Sequence, residues 1–216
     1  FHFFKKTHPS EIKKWIKCNH PTTICDSAFH FCVNLSVVEF QTDSQLRIIE
    51  KCAFELCSIF NISIPSHVTK ICKSSFSGCI NLKNVEFQID SELQTLEKLA
   101  FSGTALETFS IPASVCQLQG GCFLGSLILD KLTIMANNKY FKNLADNIVV
   151  GKSDPESSEY DILLFVSNKL KSFTIPSNIK IISENLFEES FIENVFITSQ
   201  VTTICKYSFS ASSIQC

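Results

Sequence analysis

Two thiols and two imidazoles stand close together near the start of the chain. They form the patterns Cys18-x-His20 and His30-x-Cys32. Thiolate and imidazole are the preferred ligands of structural Zn²⁺, which binds four of them in tetrahedral geometry. The ligand spacing found here matches none of the common zinc modules. We therefore predict no metal site and no other cofactor.

The same residue types could also support nucleophilic catalysis. A cysteine nucleophile needs a histidine base, a third group to orient that base, and a cleft for the substrate. The sequence shows no convergent third group, no nucleophile elbow, no P-loop and no dinucleotide fingerprint, and Gly120-Gly121 is too short to cradle a phosphate. The chain is predicted not to be an enzyme, so catalysis would require a separate domain.

The elements that position these side chains belong to a repeat, which a recurring phenylalanine reveals. We call these residues the marker phenylalanines. Each has Ile or Leu five residues before it, and the steps between them are 25, 22, 25, 22, 64 and 22 residues. A period of 20–30 residues indicates a solenoid, in which each unit buries its apolar face only against its neighbours. The markers are Phe29, Phe54, Phe76, Phe101, Phe123, Phe187 and Phe209.

A second motif, L-x-x-V-x-F or a close variant, follows each of the first six markers. It reads Leu82-Val85-Phe87 in the third repeat. Its last two apolar residues alternate with polar ones, which is the period of a half-buried strand. Three of these segments end in proline, at Pro65, Pro112 and Pro176. Proline cannot donate to a sheet ladder and suits a strand end. The pattern predicts parallel strands, one per repeat.

Two stretches, Ile64–Phe87 and Ile111–Ser126, resemble the BspA-like, or Treponema-type, leucine-rich repeats. The F-x-x-C-x-x-L-x-x-I-x-L-P signature of that family is met from Phe76 to Phe87, with Gln88 in the place of the proline. The resemblance covers roughly residues 19–216. It implies a repeat solenoid, a right-handed superhelix with a concave parallel β-sheet and a short helical or irregular convex side. Members of the family are often adhesins or antigens on bacterial and protozoan cell surfaces.

Four segments organise the chain. Residues 1–18 are expected to be an N-terminal cap, in which Ser10–Cys18 forms an amphipathic helix. Residues 19–136 and 170–216 are leucine-rich repeats, and the second block stops in mid-repeat, so we expect an excerpt of a longer chain. Residues 137–169 interrupt the period and predict a β-hairpin island between the apolar runs 147–150 and 161–166. The island is either a spacer that caps the sheet or a binding protrusion.

The chain holds 11 cysteines, and many of them keep the phase of the repeat. Cys25, Cys72 and Cys205 each lie four residues before a marker, whereas Cys32, Cys57 and Cys79 lie three residues after one. Residues that recur in phase are column positions, where cysteine behaves as a small hydrophobic side chain. We expect reduced, buried thiols, although adjacent repeats are close enough that disulfides remain an alternative.

One outward residue per predicted strand forms what we call the concave strip. Stacked repeats would align these residues on an extended surface of the kind that solenoids use to bind proteins. Exposed Ser and Thr also simply suit a solvated strand, so we single out the two carboxylates and the aromatic residue as ligand contacts. The concave strip consists of Glu39, Ser63, Glu86, Ser110, Thr133, Thr174 and Phe196.

The charge and hydropathy of the chain limit the classes of partner that it could bind. The net charge of −2, with both signs scattered, argues against nucleic acid, and no apolar run reaches membrane-spanning length. The expected partner is a protein ligand. A cell-surface adhesin or antigen would bind a host, neighbouring-cell or matrix protein. The alternative is a cytoplasmic scaffold that assembles other proteins, which the in-phase cysteines and the absence of a recognisable secretion signal favour.

Overall fold

Each regular repeat contributes one longer strand, one two-residue strand and one tight turn that carries the marker phenylalanine. The computed structural model describes residues 15–18, 21–145 and 147–214. The longer strands are β1 (Trp15–Cys18), β3 (Val37–Phe40), β5 (Asn61–Ile64), β7 (Asn84–Phe87), β9 (Thr108–Ile111), β11 (Lys131–Ile134), β15 (Ser172–Thr174) and β17 (Asn194–Phe196). The short strands are β2 (Thr23–Ile24), β4 (Ile48–Ile49), β6 (Lys70–Ile71), β8 (Thr95–Leu96), β10 (Gln117–Leu118), β16 (Ile181–Ile182) and β18 (Thr203–Ile204). The island supplies β12 (Phe141–Ala145), β13 (Ile148–Gly151) and β14 (Ile162–Val166).

The prediction of parallel strands is confirmed, but one strand per repeat is wrong because there are two. The longer strands form parallel sheets in the orders β1-β3-β5-β7, β11-β9 and β15-β17, and the short strands of the first repeats form the sheet β10-β8-β6-β4-β2. A strand of two residues is too short to show an alternating pattern, so hydropathy could not reveal it.

The marker turns form a third ladder, made of backbone hydrogen bonds between turns. In the turn of Phe76, the N–H groups of Ser74, Phe76 and Gly78 donate to carbonyls of the following turn at 3.2, 2.8 and 2.8 Å. The residues two before and two after every marker have positive φ, between 49° and 72°. This left-handed conformation directs alternate N–H groups along the solenoid axis. Only four of these fourteen positions are glycine: Gly78, Gly103, Gly121 and Gly125.

The apolar interior is divided into two clusters. The first extends from Ile24 to Val149 and contains the markers of the first four repeats, with Phe123 packed against it. The second extends from Val150 to Ile192 and contains Phe187. The boundary between the clusters falls inside the island, between two adjacent residues of β13.

The island is an antiparallel meander of three strands. The predicted hairpin is present, because β13 pairs with β14 in antiparallel register. The sequence did not predict β12, which pairs with the other edge of β13. Strand β14 also pairs in parallel with β16, so the island continues the short-strand column of the second block of repeats. The side chain of Asn143 caps the edge of β11, since its Oδ1 accepts from the N–H of Ile134 at 2.8 Å and its Nδ2 donates to the carbonyl of Leu132 at 2.6 Å.

The predicted N-terminal helix is wrong over its last four residues, which form a strand. Residues Trp15–Cys18 form β1, which pairs in parallel with β3 from Trp15↔Val37 to Cys18↔Phe40. A segment this short gains little from an isolated helix, whereas β3 offers it a full row of hydrogen-bonding partners. Residues 10–14 of the predicted helix lie outside the described residues. The described ranges hold no helix, so a helical convex side is not observed, and turns and short strands stand in its place.

Candidate functional site

The concave strip predicted from the sequence is aligned by strand register. Ser63 of β5 lies opposite Glu86 of β7, Ser110 of β9 opposite Thr133 of β11, and Thr174 of β15 opposite Phe196 of β17. Alternation along each strand produces this face: in β5, for example, Ile62 is buried and Ser63 is exposed. Ser110 and Thr133 are half-buried, while the other five members are exposed.

A second exposed column runs beside the concave strip. It is in register over the same sheets, with Asn61 opposite both Val37 and Asn84 and with Ser172 opposite Asn194. The two columns interact locally, because Asn84 Nδ2 donates to Glu86 Oε1 at 2.8 Å. The surface therefore presents oriented amide and carboxylate groups, and Phe196, with 59% of its area exposed, adds an aromatic face at the far end.

The concave strip is not one continuous sheet. The ladder is interrupted between β7 and β9, and the island separates β11 from β15. Glu39, Ser63 and Glu86 thus lie on one rigid sheet, whereas Phe196 lies on another. A ligand that contacts all three hypothesised anchors must cross the position where Asn143 caps β11.

The structure also reveals an apolar surface that sequence reasoning missed, which we call the lateral strip. Its members lie between the marker phenylalanines and the longer strands that follow them, and each has between 41% and 71% of its area exposed. Several share one repeat position, four residues after the marker, so a search for apolar residues in phase could have found them. The lateral strip consists of Phe31, Val33, Leu56, Phe60, Ile80, Leu127, Ile128 and Phe191.

The in-phase cysteines prove to be hydrogen-bond donors as well as core residues. Cys57 Sγ donates to the carbonyl of Phe29 at 3.0 Å, and Cys79 Sγ donates to the carbonyl of Phe54 at 3.1 Å. Ser126 occupies the same repeat position and donates its hydroxyl to Phe101 at 2.8 Å. Burial raises the pKa of the Cys79 thiol to about 12, which keeps it protonated as a donor.

All nine cysteines whose side chains the structure describes are free thiols, and Cys32, Cys57, Cys79 and Cys122 are buried. Cys25 is exposed, and Cys52, Cys72, Cys116 and Cys205 are partly exposed. The expected burial therefore holds three residues after the marker, at Cys32, Cys57 and Cys79, but is wrong four residues before it. That second position faces outward, where a carboxylate can replace cysteine: Glu50 and Glu97 accept backbone N–H groups of Asp26 and Lys73, both at 2.8 Å.

The potential zinc ligands are only partly described. The side chains of Cys18 and His20 lie outside the described residues. Of the other two, His30 Nδ1 lies 3.2 Å from Glu55 Oε2, and Cys32 is buried. Within the described ranges no three His, Cys, Asp or Glu side chains are grouped as metal ligands would be. In those ranges there is likewise no helix with the length and apolar character needed to cross a membrane.

No curated protein matches this sequence. The chain resembles three solved structures in fold: the pneumococcal vaccine antigen PcpA (TM-score 0.76, 22% identity), a leucine rich cell surface protein of Faecalibacterium prausnitzii (0.65, 22%) and a leucine-rich repeat protein of Eubacterium ventriosum (0.67, 18%). They align with 92%, 85% and 91% of this chain, but the chain spans only 46%, 54% and 57% of their own length.

The family model agrees with the repeat seen in the structure. The BspA type leucine rich repeat region matches in 6 copies, over residues 3–130 and 146–216. The gap between the two matches, residues 131–145, covers β11 and the first strand of the island, β12. The marker phenylalanines, the in-phase cysteines and the stacked parallel strands are thus features of one repeat type, and this chain belongs to the family of BspA-type leucine-rich repeat proteins.

Proposed function

We propose that this chain is a non-enzymatic protein-binding module of a cell-surface adhesin or antigen, and that it binds its ligand through the concave strip. The observation that carries the proposal is the register of β5 and β7, which holds Ser63, Glu86 and Asn84 at fixed positions on one exposed face. Because these side chains stand on a hydrogen-bonded sheet, a ligand would not have to order them on binding.

The proposed surface location is supported by the descriptions of two proteins with a similar fold. One similar structure is described as a vaccine antigen and another as a cell surface protein. The competing role is a cytoplasmic scaffold that assembles proteins through the same face. The free thiols favour that role, since cytoplasmic proteins keep cysteines reduced.

Location is tested by staining intact cells with an antibody against residues 64–126. Surface signal without permeabilisation supports the adhesin. Signal only after permeabilisation supports the scaffold and overturns the surface proposal.

Binding is tested by interferometry with immobilised fibronectin, laminin and collagen as probes. The variant Glu39→Ala/Glu86→Ala/Phe196→Ala should weaken binding about tenfold or more, because central anchors dominate such interfaces. A matched control, Asp43→Ala/Lys51→Ala/Lys206→Ala, changes three exposed residues outside the concave strip and should bind normally.

A third variant compares the two exposed surfaces. Phe60→Ser/Ile80→Ser alters the lateral strip without touching the concave strip. If this variant loses binding while the concave-strip variant retains it, the ligand lies on the lateral strip and the proposed site is wrong. If none of the three probes binds the unmodified chain, the proposal of a matrix-binding adhesin fails.

A further inference from the structure

The short-strand sheet β2-β4-β6-β8-β10 ends at an unpaired edge inside the molecule. Within the described part of the chain, β10 pairs only with β8, and the next strand in this direction, β14, pairs with β13 and β16 instead. The marker turns on either side of this break are nevertheless in contact, since a Cβ on Gly121 would lie 3.0 Å from the Cβ of Asn185. The two blocks of repeats therefore meet at their turns and separate at their short strands.

The separation leaves a cleft of about 410 Å³ between β10 and the island. One wall is formed by Cys116–Gln119, and the other includes Phe141, Ile162 and Leu164. The cleft thus combines a peptide edge with an apolar surface.

The backbone of Leu118 faces this cleft. The N–H groups of Gln117 and Gln119 donate to Gln94 and Leu96, both at 3.0 Å, on the β8 side. Successive residues of a strand direct their N–H and C=O groups to alternate edges, so Leu118 directs both of its groups away from β8. The side-chain oxygens of Gln117 and Gln119 also bond toward β8, with Thr95 Oγ1 at 3.3 Å and Lys98 N at 2.9 Å, respectively.

The cleft is positively charged at one side. Lys152 lines it, and its ammonium group lies 5.2 Å from the centre of the Tyr160 ring. Lys142 lies 4.3 Å from the same ring centre. In the described residues no ion pair joins either lysine to a carboxylate, although Lys180 nearby is paired with Glu159. Two uncompensated cations beside one aromatic ring favour an acidic ligand.

We propose that this cleft binds an extended acidic peptide segment of another protein, which pairs with Leu118 as an additional strand and places a carboxylate beside Lys152. Addition of a strand to a sheet edge obtains affinity from main-chain hydrogen bonds and specificity from side-chain pockets. Here Phe141, Ile162 and Leu164 would receive an apolar side chain, and Lys142 and Lys152 would select the acidic neighbour. The site is separate from the concave strip and does not depend on its function.

The test uses the full chain and the probe peptide acetyl-Glu-Val-Thr-Val-Glu-amide. In a titration followed by ¹H–¹⁵N NMR, the amide of Leu118 should shift with the amides of Gly151 and Lys152. Lys152→Glu should weaken binding about tenfold or more, as expected for loss of a charge-assisted contact. Lys206→Glu, a charge reversal far along the sequence on another lysine beside a tyrosine, should leave affinity unchanged.

Two results would overturn the proposal. The first is the absence of any shift at Leu118 while the peptide is raised to millimolar concentration. The second is equal binding of a peptide that is N-methylated at all five residues, or of glutarate alone, because neither has backbone N–H groups for a strand ladder and charge alone would then explain the binding.

Discussion

The rings of Phe76 and Phe101 lie parallel, with planes within 1° and centres 5.3 Å apart, although the residues stand one full repeat apart in the chain. A centre separation of this size between parallel rings indicates an offset stack, the arrangement that the ring quadrupole favours. The markers from Phe29 to Phe123 continue the same stack, at 5.1 to 6.0 Å. Phe187 and Phe209 form a separate stacked pair at 5.0 Å.

Removal of one ring from the middle of this stack should strongly destabilise the fold. Phe76 is fully buried, and Phe76→Ala should lower the free energy of unfolding by about 3–5 kcal/mol, measured by urea denaturation followed by circular dichroism. Phe76→Leu keeps most of the apolar volume and should cost clearly less. Equal effects of the two substitutions would contradict a specific role for the stacked ring.

The left-handed turn positions predict opposite effects for two substitutions. Gly103 has φ +63° and ample space for a Cβ, whose nearest atoms would be 3.8 Å away, so Gly103→Ala should cost about 1–2 kcal/mol through backbone strain alone. Glu189, with φ 57°, occupies the equivalent position in a later repeat. Glu189→Gly should relieve similar strain and, after the entropy cost of glycine, raise stability by less than about 1 kcal/mol. Thermal melting of both variants measures these effects. Two shifts of the melting temperature with the same sign would refute this account.

The thiol donors predict which replacements the cysteine column accepts. Cys79→Ser retains a donor for the carbonyl of Phe54, as Ser126 does for Phe101, and should fold with near-normal stability. Cys79→Val has no donor. Because it loses the hydrogen bond to the carbonyl of Phe54, its free energy of unfolding should be roughly 1 kcal/mol lower than that of Cys79→Ser. Chemical denaturation of both variants provides the comparison. A valine variant more stable than the serine variant would show that packing outweighs the hydrogen bond.

Thiol chemistry should follow exposure in the native state. Cys25 is exposed and should react readily with a disulfide reagent at pH 8, whereas burial raises the pKa of the Cys79 and Cys122 thiols to about 12 and should protect them. Mass spectrometry of the labelled protein would identify the modified residues. Labelling in urea is the control, since every thiol should then react. Modification of Cys79 as fast as Cys25 in the native protein would contradict the structure.

A pH-dependent contact joins the island to the first block of repeats. Asp130 accepts from Lys169 Nζ at 2.8 Å and from Ser167 Oγ at 2.7 Å, and these hydrogen bonds hold the pKa of the Asp130 carboxyl below its usual value. A lowered pKa in the folded state means that the contact stabilises the fold above about pH 4 and loses this effect as the pH falls through the folded pKa.

Asp130→Asn should therefore cost about 1 kcal/mol at pH 7, a modest value because the pair is partly exposed to solvent. The difference from the unmodified chain should shrink at pH 3, where the aspartate is becoming protonated. Urea denaturation at the two pH values measures it. A difference that grows on acidification would reverse the expected sign.

The extent to which the sequence predicted this structure depends on how local each signal is. The marker phenylalanines and the alternating strands could be predicted, because each repeat packs against the next and the same positions are therefore apolar in every repeat. The in-phase thiols were found, but their donor role was not, since cysteine and serine share that role only once neighbouring carbonyls are in place.

Other features depend on contacts that no local pattern encodes. Most of the left-handed positions carry ordinary residues such as Leu99 and Tyr207, so glycine did not mark them. The cap by Asn143 and the strand β1 arise from the need of a sheet edge for partners. For the candidate site, strand alternation predicted a column of outward residues, of which five are exposed and two half-buried, but it could not show that the island divides the column.

The two apolar clusters have a consequence for how the molecule comes apart. Since their boundary lies within β13, the two clusters can unfold separately. The later cluster is the smaller of the two, so it should open first under pulling force while the stacked rings from Phe29 to Phe123 hold the earlier repeats together. Opening of the later cluster would leave the sheet that carries Glu39, Ser63 and Glu86 folded at the other end.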